Sequence, residues 1–389
     1  MIERIVSKTF GKTSFFLFGP RQTGKSFLIQ SLYQDRIFKV NLLLAEPFKK
    51  YSEQPGQFRR DVEYQIQRHG IQQVFVDEVQ KIPLLLDEVH HLIETYKLQF
   101  ILTGSSARKL KRKGTNLLAG RAVQKYLFPY CYSEIKDDFH LEHILRFGSL
   151  APIYGNRNVP EQKDILRTYV NTYLKEEIQA EGLVRNLGDF SKFLDLAASQ
   201  SGELINFSGM GRDCQLSTDV VQGYYQILED TLIGFRLQPW RSNPRKRMVA
   251  HPKFYFFDVG VVNAINQNLD SDLNPRIRGH LFEQLLVLET HRLKTYRYYE
   301  SNLYFWRTSN HAEVDLLIER QHRPAVAVEF KSTRTIVRKD ITGLLSLAES
   351  HPHVKLLCVA DVDQAFELHG VEVLPWQTYL EQLDTYLAG

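Results

Sequence analysis

Eight consecutive residues carry the clearest chemical instruction in this chain. Gly19, Pro20, Arg21, Gln22, Thr23, Gly24, Lys25 and Ser26 spell G-x-x-x-x-G-K-S. Two glycines at that spacing let a backbone wrap an anion, with amide N–H groups and a helix N-terminus aimed at phosphate oxygens. Lys25 would bridge the β- and γ-phosphates of a nucleotide, and the Ser26 hydroxyl would take one Mg²⁺ position. By residue frequency the pattern arises in about 1% of chains of this length, so it discriminates. Its setting agrees: Ser14–Phe18 reads as a buried strand before it, and Phe27–Tyr33 follows with helical spacing. The plainer alternative is a Gly-rich turn ahead of an ordinary helix.

A second buried-strand candidate, Ile71–Val76, ends in Asp77 and Glu78. There Asp77 would hold Mg²⁺ directly or through water, and Glu78 would orient or deprotonate the attacking water; an acidic strand end capping the next helix is the alternative. A third, Leu98–Ser106, carries Thr103 and Ser105 where a γ-phosphate would be sensed, at the carboxyl end of a parallel sheet. Thr-Gly-Ser-Ser is also ordinary turn chemistry. Arg121, in Leu-Ala-Gly-Arg, is a lone arginine of the kind that supplies transition-state charge in cis or to a neighbouring subunit; a structural ion pair is the alternative.

Another constellation lies near the C-terminus. In Val328-Glu-Phe-Lys331, Glu329 and Lys331 fall on one side of a strand. An E-x-K triplet is expected about once by chance in a chain this long, so context has to carry it. Asp315 sits in the apolar run Val314–Ile318, and a β-turn-β link would bring it beside Glu329. Buried strands carry few charges, so these call for partners. A shared Mg²⁺ held by Asp315, Glu329 and Glu283 is one solution, with Lys331 orienting water or stabilising phosphate charge. A salt-bridge network on an inherited fold is the other. His311 and Glu313 flank the set, either supporting it or simply exposed.

The elements that must position these groups follow from pattern. At 389 residues, 43% apolar and 24% charged, the chain has room for two or three globular domains. Residues 1–150 alternate strand-like and helix-like runs as a parallel α/β sheet requires. The turn-rich 151–160 stretch marks a boundary, and 151–270 turn largely helical, with Ile165, Tyr169, Tyr173 and Leu174 spaced for one buried face. Residues 271–389 bring an amphipathic segment, Arg278–Tyr296, aromatic strands and a second α/β alternation. No run approaches 18 apolar residues, so no membrane span is expected. Met1–Lys8 lacks the features of a secretory signal, and Cys131, Cys214 and Cys358 show no paired spacing, which fits a reducing cytoplasm. The net charge of +4 decides nothing by itself.

Within the middle segment, Leu204–Cys214 and Thr218–Asp230 read as two helices joined by a tight turn, with Ser217 or Thr218 as N-cap. Strand candidates Leu232–Trp240 and Lys253–Phe257 follow, bracketing a basic loop, which is the order of a winged helix. Arg236, Arg241, Arg245, Lys246, Arg247 and Lys253 would neutralise phosphates without sequence preference. Asp219, Gln222 and Gln226 on the second helix offer no guanine-reading cation. A smaller basic run, Arg108–Lys113, reads more simply as a solvated loop.

The chain resembles the AAA-type P-loop ATPases, and more closely a prokaryotic family with a winged-helix segment and a C-terminal restriction-endonuclease-like domain. The likeness is carried by Gly19–Ser26, Val74–Gln80, Leu102–Ser106, Leu118–Arg121, Ile227–Asp230, Tyr255–Gly260, His311–Ile318 and Val328–Lys331. It implies an α/β fold with a P-loop parallel-sheet core, and ATP and Mg²⁺ as cofactors. It also implies nuclease-like roles for Glu283, Asp315, Glu329 and Lys331, although no proline precedes Asp315. The expected function is Mg-dependent ATP hydrolysis acting on DNA, with a protein partner or self-association open. The rivals are a regulatory nucleotide switch on an inert nuclease fold and, less in keeping with Asp77-Glu78, a small-molecule kinase.

Overall fold

Phe15, Phe16, Leu17 and Phe18 are all fully buried, a run with no polar face that suits only a parallel strand covered on both sides. The computed structural model describes every residue except 1, 35–36, 107, 109, 111–117, 119, 175–177, 179–185, 242–250 and 389. It divides into two compact units, Glu3–Pro129 with Asp230–Ile233, and Tyr130–Glu229 with Gly234–Gly389.

The first unit is built on a five-stranded sheet: β1 (Ser14–Phe18), β2 (Ile37–Asn41), β3 (Gln73–Asp77), β4 (Gln99–Gly104) and β5 (Ala122–Tyr126). The strand order is β2-β3-β4-β1-β5, with every pairing parallel. Helices α1 (Lys25–Leu32), α2 (Ala45–Glu53), α3 (Pro55–His69) and α4 (Leu85–Tyr96) supply the crossovers. One apolar face joins Phe16, Phe18, Val74, Val76, Phe100 and Leu102 to Phe58, Val62, Leu85 and Val89. Gly70, with φ +60°, stops α3 in the left-handed conformation that glycine adopts without strain. The sheet therefore sends the carboxyl ends of β1, β3 and β4 to one edge.

The second unit opens with the short helices Tyr132–Ile135, Leu141–Phe147 and Ala151–Tyr154, then Val159–Thr168. The sequence boundary at 151 thus falls late: the contact boundary lies at residue 130. The reason is buried and polar. Arg292, fully buried, donates to the Tyr130 and Phe257 carbonyls (3.2 and 2.7 Å) and to Glu289. Glu289 also accepts the Tyr132 amide (2.7 Å), and Asp258 accepts the Ser149 amide (2.9 Å). Residues 130–149 are pinned by partners that no local pattern announces. On the following helical stretch Leu166, Tyr169 and Leu174 are buried, while Ile165 and Tyr173 stay half-exposed.

The remaining strands form one eight-stranded sheet in the order β12-β13-β11-β10-β9-β8-β6-β7. Its members are β6 (Gly234–Pro239), β7 (Lys253–Phe256), β8 (Asn302–Arg307), β9 (Glu313–Arg320), β10 (Arg323–Lys331), β11 (Lys355–Ala360), β12 (Phe366–Leu368) and β13 (Val371–Pro375). The helix Pro275–Arg297 packs on β10. The expected middle and C-terminal segments do not separate by contact, because the strands after the Thr218–Asp230 helix join this sheet through β6 and β8.

The helices Phe207–Cys214 and Thr218–Asp230 and the antiparallel pair β6–β7 form as the sequence suggests, and Ser217 Oγ caps the second helix on the Val220 amide (3.3 Å). Asp219, Gln222 and Gln226 are exposed. The basic reading of the hairpin needs correction. Lys253 is buried between Glu283 and Glu313, and Arg236 pairs with Glu229 (3.1 Å), so neither is offered to a phosphate backbone. Arg245, Lys246 and Arg247 lie outside the described residues, as does most of the Arg108–Lys113 run. Arg108 itself binds Asp230 (2.7 Å) rather than standing in solvent.

Candidate active site

The loop Gly19–Ser26 leaves β1 and enters α1 through Gly24, whose φ of +90° is left-handed. Gly19 has a steric reason: a Cβ there would lie 2.2 Å from the Leu127 carbonyl oxygen. The loop is braced from outside and inside. Arg4 donates to the Thr23 and Phe128 carbonyls (3.1 and 2.6 Å), and Thr23 Oγ1 donates to Pro20 O (3.0 Å). Lys25 is buried, with Nζ donating to Gly19 O (2.8 Å) and Pro20 O (2.9 Å). Its ammonium is thereby held over the loop, where phosphate oxygens would compete for it. Gln22 sits at φ +63° with Oε1 buried and unpartnered among the described residues.

Asp77, at the end of β3, is buried between two hydroxyls. Ser26 Oγ donates to its Oδ2 (2.7 Å) and Thr103 Oγ1 to its Oδ1 (2.5 Å). A carboxylate and a hydroxyl adjoining a phosphate loop are the hard oxygen donors Mg²⁺ selects, so this set fits the ion. Glu78 follows in a left-handed backbone (φ +58°), unusual for a side-chain-bearing residue and a place where strain collects at functional sites.

One residue here was not singled out by sequence. Gln80 Nε2 donates to Glu78 Oε2 and to Ser105 Oγ (3.2 Å), bridging the expected base and the expected sensor. Gly104 makes room for it, since a Cβ there would lie 2.5 Å from Gln80 Oε1. The loop Gly19–Ser26 and Asp77, Glu78, Thr103 and Ser105 thus gather at the carboxyl edge of β1, β3 and β4.

Arg121 does not join them. Register pairs Ala122 with Ser14, at the opposite end of β1 from the loop. Five strand residues at about 3.3 Å each separate Arg121 from its own phosphate loop, more than an arginine side chain spans. Arg121 instead pairs with Glu94 near the end of α4. Its role in cis is thereby excluded.

The second unit gathers the other constellation. Register pairs Leu316 with Val328, which brings Asp315 beside Glu329 on the neighbouring strand. Asp315 Oδ2 accepts the Phe330 amide (2.9 Å), and Lys331 Nζ donates to Glu329 Oε1 (2.6 Å). Glu283, on the Pro275–Arg297 helix, accepts from Tyr255 OH (2.7 Å) and Lys253 Nζ (3.2 Å). Lys253 also reaches Glu313 (2.7 Å), whose other oxygen takes Arg307 (2.9 Å). Burial, then the charges of Glu329 and Glu283, push the Asp315 carboxyl well above its usual range. Burial opposes charge on Glu283, but the Lys253 ammonium and the hydrogen bonds from Tyr255 and Lys253 together hold that carboxyl below its usual value. His311 hydrogen-bonds Arg307 at the exposed margin.

Glu283, Asp315 and Glu329 lie close enough for their charges to act on one another, each with a partner from the protein. Among the described residues no three carboxylate, histidine or cysteine side chains converge as a metal set requires. Lysines and a backbone amide engage the carboxylates instead. Cys131, Cys214 and Cys358 are buried and in no disulfide, and no described helix is long and apolar enough to cross a membrane.

Comparison with known proteins bears on each part. Residues 11–136 match the family described as an AAA domain, and 138–272 and 278–379 match two domains of unknown function (DUF8612 and DUF4143). An uncharacterized protein of Mycobacterium tuberculosis is 25% identical over 342 residues, covering 85% of this chain and 73% of the relative. An uncharacterized protein of Haemophilus influenzae is 20% identical over 294 residues, 69% of this chain and 73% of the relative. Among solved structures, the Aeropyrum pernix ORC1 protein in complex with DNA aligns with a TM-score of 0.31 at 13% identity, over 68% of this chain and 88% of that one. The replication initiator DnaA bound to AMPPCP and single-stranded DNA gives 0.30 at 12%, over 58% and 86%. The loop, the carboxylate pair and the parallel sheet all lie within residues 11–136, the stretch that is similar to the AAA domain family.

Proposed function

We propose that this protein is a Mg²⁺-dependent ATPase whose nucleotide site is Gly19–Ser26 with Asp77, Glu78, Thr103 and Ser105, and whose second unit contacts DNA. The observation that carries the ATPase reading is the bracketing of Asp77 by Ser26 and Thr103 beside Glu78. When bound there, Mg²⁺ would neutralise charge on the β- and γ-phosphate oxygens. Lys25 would exchange its loop carbonyls for phosphate oxygens, Glu78 would take the proton of the attacking water, and Thr103 or Ser105 would register the γ-phosphate. Arg121 would supply its charge to the site of a neighbouring copy, which makes self-association part of the reading. Three buried cysteines outside any disulfide accord with a reducing cytoplasm.

DNA contact rests on the helix-turn-helix followed by the β6–β7 hairpin, read as a winged helix, and would be backbone-directed and salt-dependent. The sheet β8–β11 with the Pro275–Arg297 helix is read as restriction-endonuclease-like. The pairing of Lys253 with Glu283 and Glu313 favours a second reading for it: an inert nuclease fold serving a nucleotide-controlled switch, rather than Mg²⁺-dependent cleavage. The deciding experiment measures ATP turnover and DNA cleavage on the full chain, alone and with Lys25→Ala, Glu78→Gln and Asp315→Ala. Turnover lost in the first two variants, with no Asp315-dependent cleavage, is expected. Turnover unchanged by Glu78→Gln would sink the ATPase assignment.

A further inference from the structure

We infer that Lys253 is the resident counter-cation of the acidic cluster in the second unit, standing in the place of a divalent metal and locking β7 to β9 and the Pro275–Arg297 helix. The inference rests on reading this unit as an inert nuclease-like fold. The side chain of Lys253 is only 4% exposed. An ammonium taken that far from water stays charged only when carboxylates surround it. Two do, from two other elements: Glu283 at 3.2 Å and Glu313 at 2.7 Å, with the Phe305 ring 5.6 Å away. The backbone of Lys253 is fixed from both sides, paired with Leu237 on β6 and bridged to Leu204.

The rest of the cluster is arranged around that ammonium. Tyr255 OH, one turn of the pleat further along β7, takes the same Glu283 oxygen (2.7 Å), so β7 presents two donors to one carboxylate. Arg307 closes the other side of Glu313, and Lys331 closes Glu329. Among the described residues, Glu329 Oε2 is a fully buried carboxylate oxygen without a hydrogen-bond partner. A fixed ammonium held by two of the carboxylates is the reverse of what Mg²⁺ or Mn²⁺ needs, which is several convergent oxygens and no competing cation. Removing the ammonium leaves Glu283 without a cation and Glu313 with Arg307 alone, and a divalent ion is the available replacement.

The test is Mn²⁺ binding to the full-length, nucleotide-free chain, followed by loss of the free-ion electron paramagnetic resonance signal. Ser26→Ala is present throughout, so that the phosphate-loop site contributes little. The expected result is no difference between this chain and the same chain with Asp315→Asn. Lys253→Met should then gain a site of stoichiometry near one, lost again when Glu283→Gln is added. Mn²⁺ bound by the Lys253 chain and lost with Asp315→Asn would overturn the inference. So would a Lys253→Met chain that melts like its parent and binds no more Mn²⁺. If Lys253→Met does not fold, Lys253→Met with Glu283→Gln and Glu313→Gln should restore folding by removing the stranded charges, and failure to do so counts against the inference. DNA cleavage that requires Asp315 would refute the inert-fold reading itself. Cluster-dependent Mn²⁺ binding without cleavage would refute only the placement of Lys253.

Discussion

Replacing Gln80 by alanine removes the bridge between Glu78 and Ser105 without touching the phosphate loop. The Gln80 amide donates to a carboxylate and to a hydroxyl, and the residue is 7% exposed. A hydrogen bond to a charged group contributes about 1.5–3 kcal/mol. If that bond holds Glu78 in the geometry that accepts a proton from water, its loss raises the barrier by a similar amount. At about 1.4 kcal/mol per factor of ten, kcat should fall roughly 10- to 100-fold. The side-chain bonds of Gln80 go to Glu78 and Ser105 and not to Gly19–Ser26, so the Kd for ATP should stay within about threefold, under 1 kcal/mol. Steady-state phosphate release read against a fluorescent-nucleotide titration separates the two quantities. Gln80→Glu is the companion variant: it keeps the shape, sets a second carboxylate against Glu78, and should move the acidic limb of the pH–rate profile upward. The reasoning fails if Gln80→Ala turns over ATP like the parent chain while Glu78→Gln abolishes turnover.

Three further outcomes are expected. Arg121→Ala should lower turnover with ATP affinity intact, and mixing it with an excess of Lys25→Ala chains should restore activity; no restoration in mixed assemblies would remove Arg121 from the neighbour's site. Gly19→Ala drives a methyl into the Leu127 carbonyl, 2.2 Å away, and should cost about 1–3 kcal/mol of stability together with nucleotide binding, both visible in melting curves taken with and without ATP. His291 stacks on Phe235 (ring centroids 4.1 Å apart), and burial, then Lys294 and Arg292, hold its imidazole well below its usual pKa. The unfolded chain therefore binds the extra proton, and stability present above about pH 6.5 is lost as pH falls, by at most about 1.4 kcal/mol per unit. His291→Phe should flatten that slope in urea titrations, and an unchanged slope would assign it to the carboxylates.

The phosphate loop was legible because its eight residues are contiguous and the backbone fixes their geometry. Asp77 and Glu78 were legible because a phosphate loop lies upstream of them; an acidic strand end by itself is more commonly a cap on the next helix. Gln80 was not, since its meaning depends on the space above Gly104 on a neighbouring strand. A polar residue two places beyond the carboxylate pair, set between Val79 and Lys81, was the available signal. Arg121 was legible as a candidate but not as to which edge it occupies, which the parallel register of β1 and β5 decides. Lys253 looked like the basic flank of a hairpin, because Glu283 and Glu313 lie far along the chain and enter only when the sheet closes. The break at residue 130, ahead of the turn-rich 151–160 stretch, is hidden for the same reason: Arg292 and Asp258 claim residues 130–149 from a distance. Periodicity reports what is apolar, and these choices are made by buried polar pairs.

The return of Asp230–Ile233 to the first unit has a consequence for how the molecule is made. Ser106 Oγ donates to the Asp230 carbonyl (3.1 Å), Arg108 holds its carboxylate, and Leu232 packs on the cluster that contains Leu110 and Leu118. None of these contacts exists while Pro129 is the newest residue. The nucleotide-binding unit stays unfinished until roughly a hundred further residues have been added, about 5–20 s at ordinary translation rates. Through that interval the cluster lacks Leu232 and Arg108 lacks its carboxylate, so the nascent chain is most open to capture by chaperones or proteases while the second unit is still being synthesised.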